Sequence, residues 1–246
     1  MILAWILLFS TLGSVGAMSG GALLLLFPRH VIKNLIPCFL SYAIGTLLGA
    51  AFLGMIPAGL CQAPAPTVLC TVLAGIIMFF ILEKIVLWRH CHDPECELHG
   101  KPGALILIGD AFHNFVDGVV ITAAFLTSIP LGISASLAVI AHEVPQELGD
   151  IAILLDSGYT KTRAFCCNLI SSLSTLPGAL IAYFYLGATR EAVPYVLALS
   201  AASFIYIALA DLVPSTHKRQ GIGNAARQIA LILLGICTVA LFRFLH

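Results

Sequence analysis

This chain is expected to be an all-α integral membrane protein with eight transmembrane helices, on three observations. Hydrophobic residues make up 60% of its 246 residues and charged ones only 10%, against roughly 25% charged in an ordinary soluble domain. Eight mainly apolar stretches approach the length of about 20 residues that a helix needs to cross a hydrocarbon core of about 30 Å. The connections are short and punctuated by Pro or Gly, as at Pro64-Ala65-Pro66, Ser157-Gly158 and Gly221-Ile222-Gly223. This leaves one transmembrane domain over 1–246 and no separate soluble one.

The first stretch, 2–27, contains no basic residue, since the first is Arg29. A cleavable signal peptide needs a basic n-region, so the stretch is expected to remain as a true span. Its Gly13, Gly16, Ser19, Gly20 and Gly21, with Gly45 and Gly49 of the second stretch, 35–56, form a small-xxx-small pattern. Such a pattern permits close helix contact, either as a dimer face or as a sliding surface. The third stretch, 67–87, leads into a polar connection at 88–103. The fourth, 104–125, and fifth, 131–155, are separated by a very short connection through Thr127 and Ser128, which favours side-by-side packing. The sixth, 165–186, the seventh, 193–213, and the eighth, 228–244, complete the set.

Orientation follows from the basic residues, because cytoplasmic loops carry the excess of Lys and Arg. With eight spans, the connections after the first, third, fifth and seventh share one side. They hold ten of the 12 basic residues: Arg29, Lys33, Lys84, Arg89, Lys101, Lys161, Arg163, Lys218, Arg219 and Arg227. The opposite side and the termini hold only Arg190 and Arg243. Both termini are therefore expected outside, in a multi-pass protein of the cell (inner or plasma) membrane.

Of the 8 cysteines, Cys38, Cys70, Cys166, Cys167 and Cys237 lie in or beside expected spans, where a cysteine acts as a small hydrophobe. Cys91 and Cys96 lie instead in the inner connection, with His90, His92 and His99 and the acids Asp93, Glu95 and Glu97. A reducing cytoplasm keeps such cysteines as thiols. The tract reads either as a soft, adaptable metal-binding segment or as a solvated connector, and its spacing is not that of a closed zinc finger.

Two stretches carry far more polar chemistry than a span tolerates by chance. The fourth has Asp110, His113, Asn114 and Asp117; the fifth has His142, Glu143, Gln146, Glu147 and Asp150. An ionisable group at the centre of a bilayer helix costs roughly 2.5 to 3.5 kcal/mol on insertion scales, so such groups persist where they face each other, a cavity or an ion. Residues four apart share a helix face, which places His113 over Asp117, His142 over Gln146 and Glu143 over Glu147. Pro145 removes a backbone donor and clashes with the Ala141 carbonyl, so a kink and a freed oxygen ligand are expected there. Either histidine alone would read as an interhelical hydrogen bond. Together with the acids they read as a path for a divalent transition metal, since imidazole with carboxylate suits ions such as zinc.

The residues carry a resemblance to the Zrt- and Irt-like, or ZIP, metal transporters. HNFVDG, residues 113–118, resembles that family's fourth-span motif, and HEVPQELGD, residues 142–150, resembles its fifth-span HExPHExGD motif. Further similarity lies in AIGTLLGAAFLGMIP (43–57), FFILEKIVLWRHCHD (79–93) and ALADLVP (208–214). The resemblance implies two three-span units around the fourth and fifth spans, often as a homodimer. The stretch before Pro57 resembles that before Pro214, as an inverted repeat would. It also implies a two-metal centre midway across the bilayer. One position would use His113, Asp117, His142 and Gln146, and its neighbour Asn114, Asp117 and Glu143, with Gln146 as an optional shared ligand. Glu147 would support the site or relay protons, with Asp110, Asp150 and Asp211 as further exit or relay groups.

The implied function is import of a divalent metal into the cytoplasm by alternating access, zinc first, with cadmium, iron(II) and manganese as alternatives. The metal is substrate, and no organic cofactor is called for. Two departures stand out: Gln146 occupies the place of a histidine, and Gly54 and Ala58 stand where relatives often have His and Glu. A metal-gated channel or sensor is the runner-up. An intramembrane zinc protease would need H-E-x-x-H, and position 146 is glutamine, so no enzyme is expected. Small basic clusters and the lack of GxxxxGK[ST] offer nothing for nucleic acid or nucleotide, leaving metal ions and the lipid bilayer as partners.

Overall fold

The computed structural model describes residues 1–24, 26–91, 102–216 and 222–244. All regular structure among them is helical. We label the long helical runs α1 (Ile2–Leu24), α2 (His30–Leu60), α3 (Ala65–Cys91), α4 (Pro102–Thr127), α5 (Ile129–Asp156), α6 (Lys161–Ala188), α7 (Arg190–Thr216) and α8 (Ile222–Phe244). Seven helices among the described residues are long and apolar enough to cross a membrane. The run outside that set is α5. It has 28 residues, ample length for a span, but His142, Glu143, Glu147, Asp150 and Asp156 lower its apolarity.

Local sequence explains where the central helices begin. Ser128 caps α5 by accepting from the Leu131 amide, and Pro130 occupies the first turn, where a missing donor costs nothing. Thr160 caps α6 in the same way through the Arg163 amide. α5 continues through Pro145 to Asp156, so the expected proline disturbance does not divide the helix. α3 continues to Cys91, and residues 88–91, expected in the connection, are helical. No helix breaker precedes Pro94, which accounts for the extension.

Two prolines are absorbed in the same manner. α2 widens into a π-helical turn over Ala50–Met55 and carries on past Pro57, and α7 does so over Ile207–Leu212 before Pro214. In both, six π-helical residues end two positions before the proline. The wider turn makes room where the proline ring would strike the carbonyl four residues back. The shared offset is structural support for the short internal likeness between these segments.

α4 and α5 lie side by side at the centre. α5 also packs on α1, α2 and α8, and α4 on α1, α6 and α7. The α4–α6 crossing is backbone to backbone: a side chain at Gly118 would strike the Thr175 carbonyl, and one at Gly178 the Phe115 carbonyl. Small residues in α1 serve the same end, with Gly13 against Val139 and Gly20 and Gly21 against Val144 of α5. Gly45 and Gly49 of α2 meet Ile232, Ile236 and Val239 of α8. Both small-residue faces are thus in use within the chain.

The periphery is apolar. α3 and α8 bury only 17% and 11% of their best apolar windows, whereas α2 buries 61%. Leu69, Leu73, Ile77 and Phe80 of α3 and Ile229, Leu233 and Leu241 of α8 are exposed, as lipid-facing surfaces require. Polar ties reach that outer layer: the Tyr206 hydroxyl of α7 donates to the Glu83 carboxylate of α3, and the Tyr42 hydroxyl of α2 to the Thr238 hydroxyl of α8.

Candidate metal centre

The polar stripes of α4 and α5 meet. The His113 Nε2 lies 3.2 Å from the His142 Nε2 and 3.1 Å from the Glu143 Oε1. The His142 Nε2 lies 3.4 Å from the Asp117 Oδ2 and 3.5 Å from the Glu143 Oε1, and the Asp117 Oδ2 is 3.8 Å from the His113 Nε2. Asp117, His142 and Glu143 are at most 1% exposed, and His113 keeps 22%. Two imidazoles and two carboxylates thus converge, and together they can hold a divalent cation.

The tautomer of His142 follows from its surroundings. Its Nδ1 lies 2.8 Å from the Ala138 carbonyl oxygen, which can only accept, so Nδ1 carries a proton, and in the neutral ring Nε2 presents its lone pair. A backbone carbonyl on the far ring nitrogen is the usual way of orienting a metal-binding imidazole. Neither oxygen of Asp117 has a hydrogen-bond partner, and neither does Glu143 Oε2. Buried oxygens in that state call for a further partner, an ion or a water.

A second group adjoins the first: Asp110, Glu143 and Glu147 bring carboxylate oxygens within 4.8 Å of one another, with Glu143 common to both. Asp110 and Glu147 are buried. The Glu147 carboxylate accepts from the Asn168 amide on one oxygen and from the Ser172 hydroxyl on the other.

Asn114 is hydrogen-bonded on both sides of its amide. Its amide nitrogen donates to the Asp110 carbonyl (3.2 Å) and to Asp110 Oδ1 (2.9 Å), and its oxygen accepts from the Thr175 hydroxyl at 3.0 Å. Gln146 also donates to Asp110 Oδ1, at 3.5 Å. It lines a cavity of about 790 Å3 that reaches from His142 past Pro145, Asp150 and Asp211 to Ser215. Asp150 and Asp211 therefore face the cavity rather than the buried group. Gly54 lies against Leu131, away from the four converging donors. His90 and Cys91 fall on the last residues of α3, while His92, Cys96 and His99 lie outside the described residues.

Sequence reading missed the contribution of α6. Asn168, Ser171, Ser172 and Thr175 are buried, and Ser171 donates to the Leu107 carbonyl of α4. Their spacing of three and four residues marks one helix face. That signal was available, but none of these residues is ionisable, so none stood out in an apolar stretch.

A model of the family described as "ZIP Zinc transporter" matches residues 89–243. Zinc transporter ZIP13 of Pongo abelii is 31% identical over 218 residues, 82% of this chain and 65% of that protein. Zinc transporter ZIP4 of Homo sapiens is 41% identical over 114 residues, 46% of this chain and 18% of that protein. An uncharacterized zinc transporter of Schizosaccharomyces pombe is 36% identical over 153 residues, 58% of this chain and 34% of that protein. The chain spans only 18% to 65% of the length of these relatives. The family match takes in more than half of the chain, including both helices that bring the four donors together, and the chain belongs to the ZIP zinc transporter family.

Proposed function

We propose that this protein moves a divalent transition metal, zinc first, across a membrane through His113, Asp117, His142 and Glu143. One observation carries the reading. Four donors held about 2.0–2.1 Å from a tetrahedral zinc ion lie roughly 3.3–3.5 Å apart. Five of the six distances among these atoms, all those that involve a histidine, are 3.1, 3.2, 3.4, 3.5 and 3.8 Å. Two carboxylates with two neutral imidazoles also match the charge of a divalent ion.

α5 serves as the eighth span in this reading. Its ionisable residues tolerate membrane depth because α1, α2, α4 and α8 pack around it and its polar stripe faces α4 or the cavity. The cavity ends at Ile153 and Ser215, near the C-terminal ends of α5 and α7. The connections that follow carry Lys161, Arg163, Lys218 and Arg219, the basic, cytoplasmic side by the positive-inside rule. With both termini outside, the conformation described is then open to the cytoplasm, and alternating access delivers metal inward. Glu143 stands within 3.5 Å of both imidazole nitrogens, the place of a ligand and not that of a general base, which argues against a protease.

The test is uptake of radiolabelled zinc into proteoliposomes holding the full chain, with cadmium, manganese and iron(II) as competitors. Asp117→Ala and His142→Ala abolish uptake if the ion passes between α4 and α5. Normal uptake by both variants overturns the reading.

A further inference from the structure

We propose that Phe204 is a specificity-determining wall of the metal site. It is an apolar stop that denies water to the ion on the side away from the cavity, and so favours a four-coordinate ion such as zinc over six-coordinate ions such as manganese(II). The inference rests on the reading that His113, Asp117, His142 and Glu143 take up a divalent metal.

The cavity stops at matching points on two helices. On α5 it reaches His142 and none of the residues before it, where Ala135, Ala138 and Val139 are buried. On α7 it reaches Ile207 but not Phe204, one turn earlier, and every residue from Ser200 to Ile205 is buried. The boundary coincides with a change of helix, because the α-helical part of α7 ends at Tyr206 and the π-helical turn Ile207–Leu212 follows. The two stopping points touch. The His142 and Phe204 rings stand edge-on, with 6.1 Å between centroids and 68° between planes, and Phe204 has no exposed surface.

Phe204 is also held from behind. Residues two apart on a helix point to nearly opposite sides, and Tyr206 faces α3, where its hydroxyl donates to Glu83 and its ring lies 6.3 Å from that of Phe79. α3 comes close at Gly75 too, where a Cβ would stand 2.6 Å from that of Ala202. α7 therefore has little room to retreat from His142. The donors of α4 and α5 fill four positions around an ion, and any further ligand must be water. The cavity can supply water from its own side, but a phenyl ring offers no lone pair and fills the space on the other. A tetrahedral ion loses nothing by this, whereas an octahedral one is left short of ligands. Control of water access by an apolar shell is a general lever on metal sites.

Cobalt(II) absorbs strongly in the visible when tetrahedral and weakly when six-coordinate, so it reads this geometry in the purified full chain in nanodiscs at substoichiometric loading. Wild type is expected to show the strong bands. Phe204→Ser is expected to lose them as water joins the ion, and Phe204→Leu, which keeps an apolar wall, to retain them. Competition between zinc and manganese(II) is expected to shift toward manganese in Phe204→Ser alone. Weak bands in wild type overturn the inference, a measurement that needs no variant to fold. So do strong bands or an unchanged zinc-to-manganese ratio in Phe204→Ser, and so does equal loss in both variants, which would assign the effect to packing. These results leave the proposed function standing when His142→Ala abolishes the cobalt signal. A spectrum unchanged by His142→Ala removes the proposed function, and this inference with it.

Discussion

His113 and His142 present their Nε2 atoms to each other at 3.2 Å across the α4–α5 contact. The Ala138 carbonyl holds a proton of His142 on Nδ1, so in the neutral ring His142 Nε2 cannot donate and the contact draws on a proton of His113 Nε2. A divalent ion removes that dependence, because both lone pairs then point at one charge. α5 supplies its own Ala138 carbonyl to orient the His142 ring.

His142→Ala therefore deletes a donor and an oriented one. Changes to groups that merely support a ligand cost about 10- to 100-fold in metal affinity, so loss of His142 is expected to exceed about 100-fold. Zinc titration of the purified protein checks this, and a change below tenfold would place His142 outside the site.

Gln146→His is expected to tighten zinc binding. Gln146 lines the cavity beside His142, and its amide reaches Asp110, so an imidazole there adds a nitrogen donor beside His142. Unchanged affinity in the same titration would mean that position 146 does not reach the ion.

Zinc affinity is expected to fall as pH is lowered. Imidazole and carboxylate bind metal only when deprotonated, so protons compete with the ion and zinc binding releases them. The sign is accordingly weaker binding in acid. Calorimetry in two buffers of different ionisation enthalpy measures the released protons; none released at neutral and mildly acid pH would remove the two imidazoles from the ligand set.

Gly118→Leu and Gly178→Leu are expected to destabilise the protein. Each places side-chain atoms on a backbone carbonyl of the facing helix, Thr175 or Phe115, and overpacking of this kind costs about 1–3 kcal/mol. A lowered melting temperature in detergent is the readout. Thr175→Val, which removes the hydroxyl held by the Asn114 oxygen, is expected to cost about 1 kcal/mol.

The donors themselves were legible because charge is expensive in lipid. His113, Asp117, His142 and Glu143 stood out in apolar stretches, and helical spacing put each pair on a stripe. Their convergence follows from the single residue between Thr127 and Ile129. Asn114, Asn168, Ser172 and Thr175 were a different case. Amides and hydroxyls can bond their own helix carbonyls, as Ser172 does with Asn168, so their presence in a span announces nothing. Pro57 and Pro214 likewise mark interruptions in the pattern, but the sequence does not say that π-helical turns absorb them.

Composition and periodicity alone settle that the chain is helical and membrane-embedded, and name the ionisable residues that must find partners, since those consequences follow from solvation cost and the helical repeat. Which atom of each side chain faces which neighbour is another matter. That Asn114 turns to Thr175, that Glu147 is gripped by α6, and that a cavity leaves His142 toward Ser215 all depend on how α6 and α7 lie against α4 and α5. Rotamer and hydrogen-bond choices are made between helices far apart in the chain, through contacts that short-range sequence patterns do not encode.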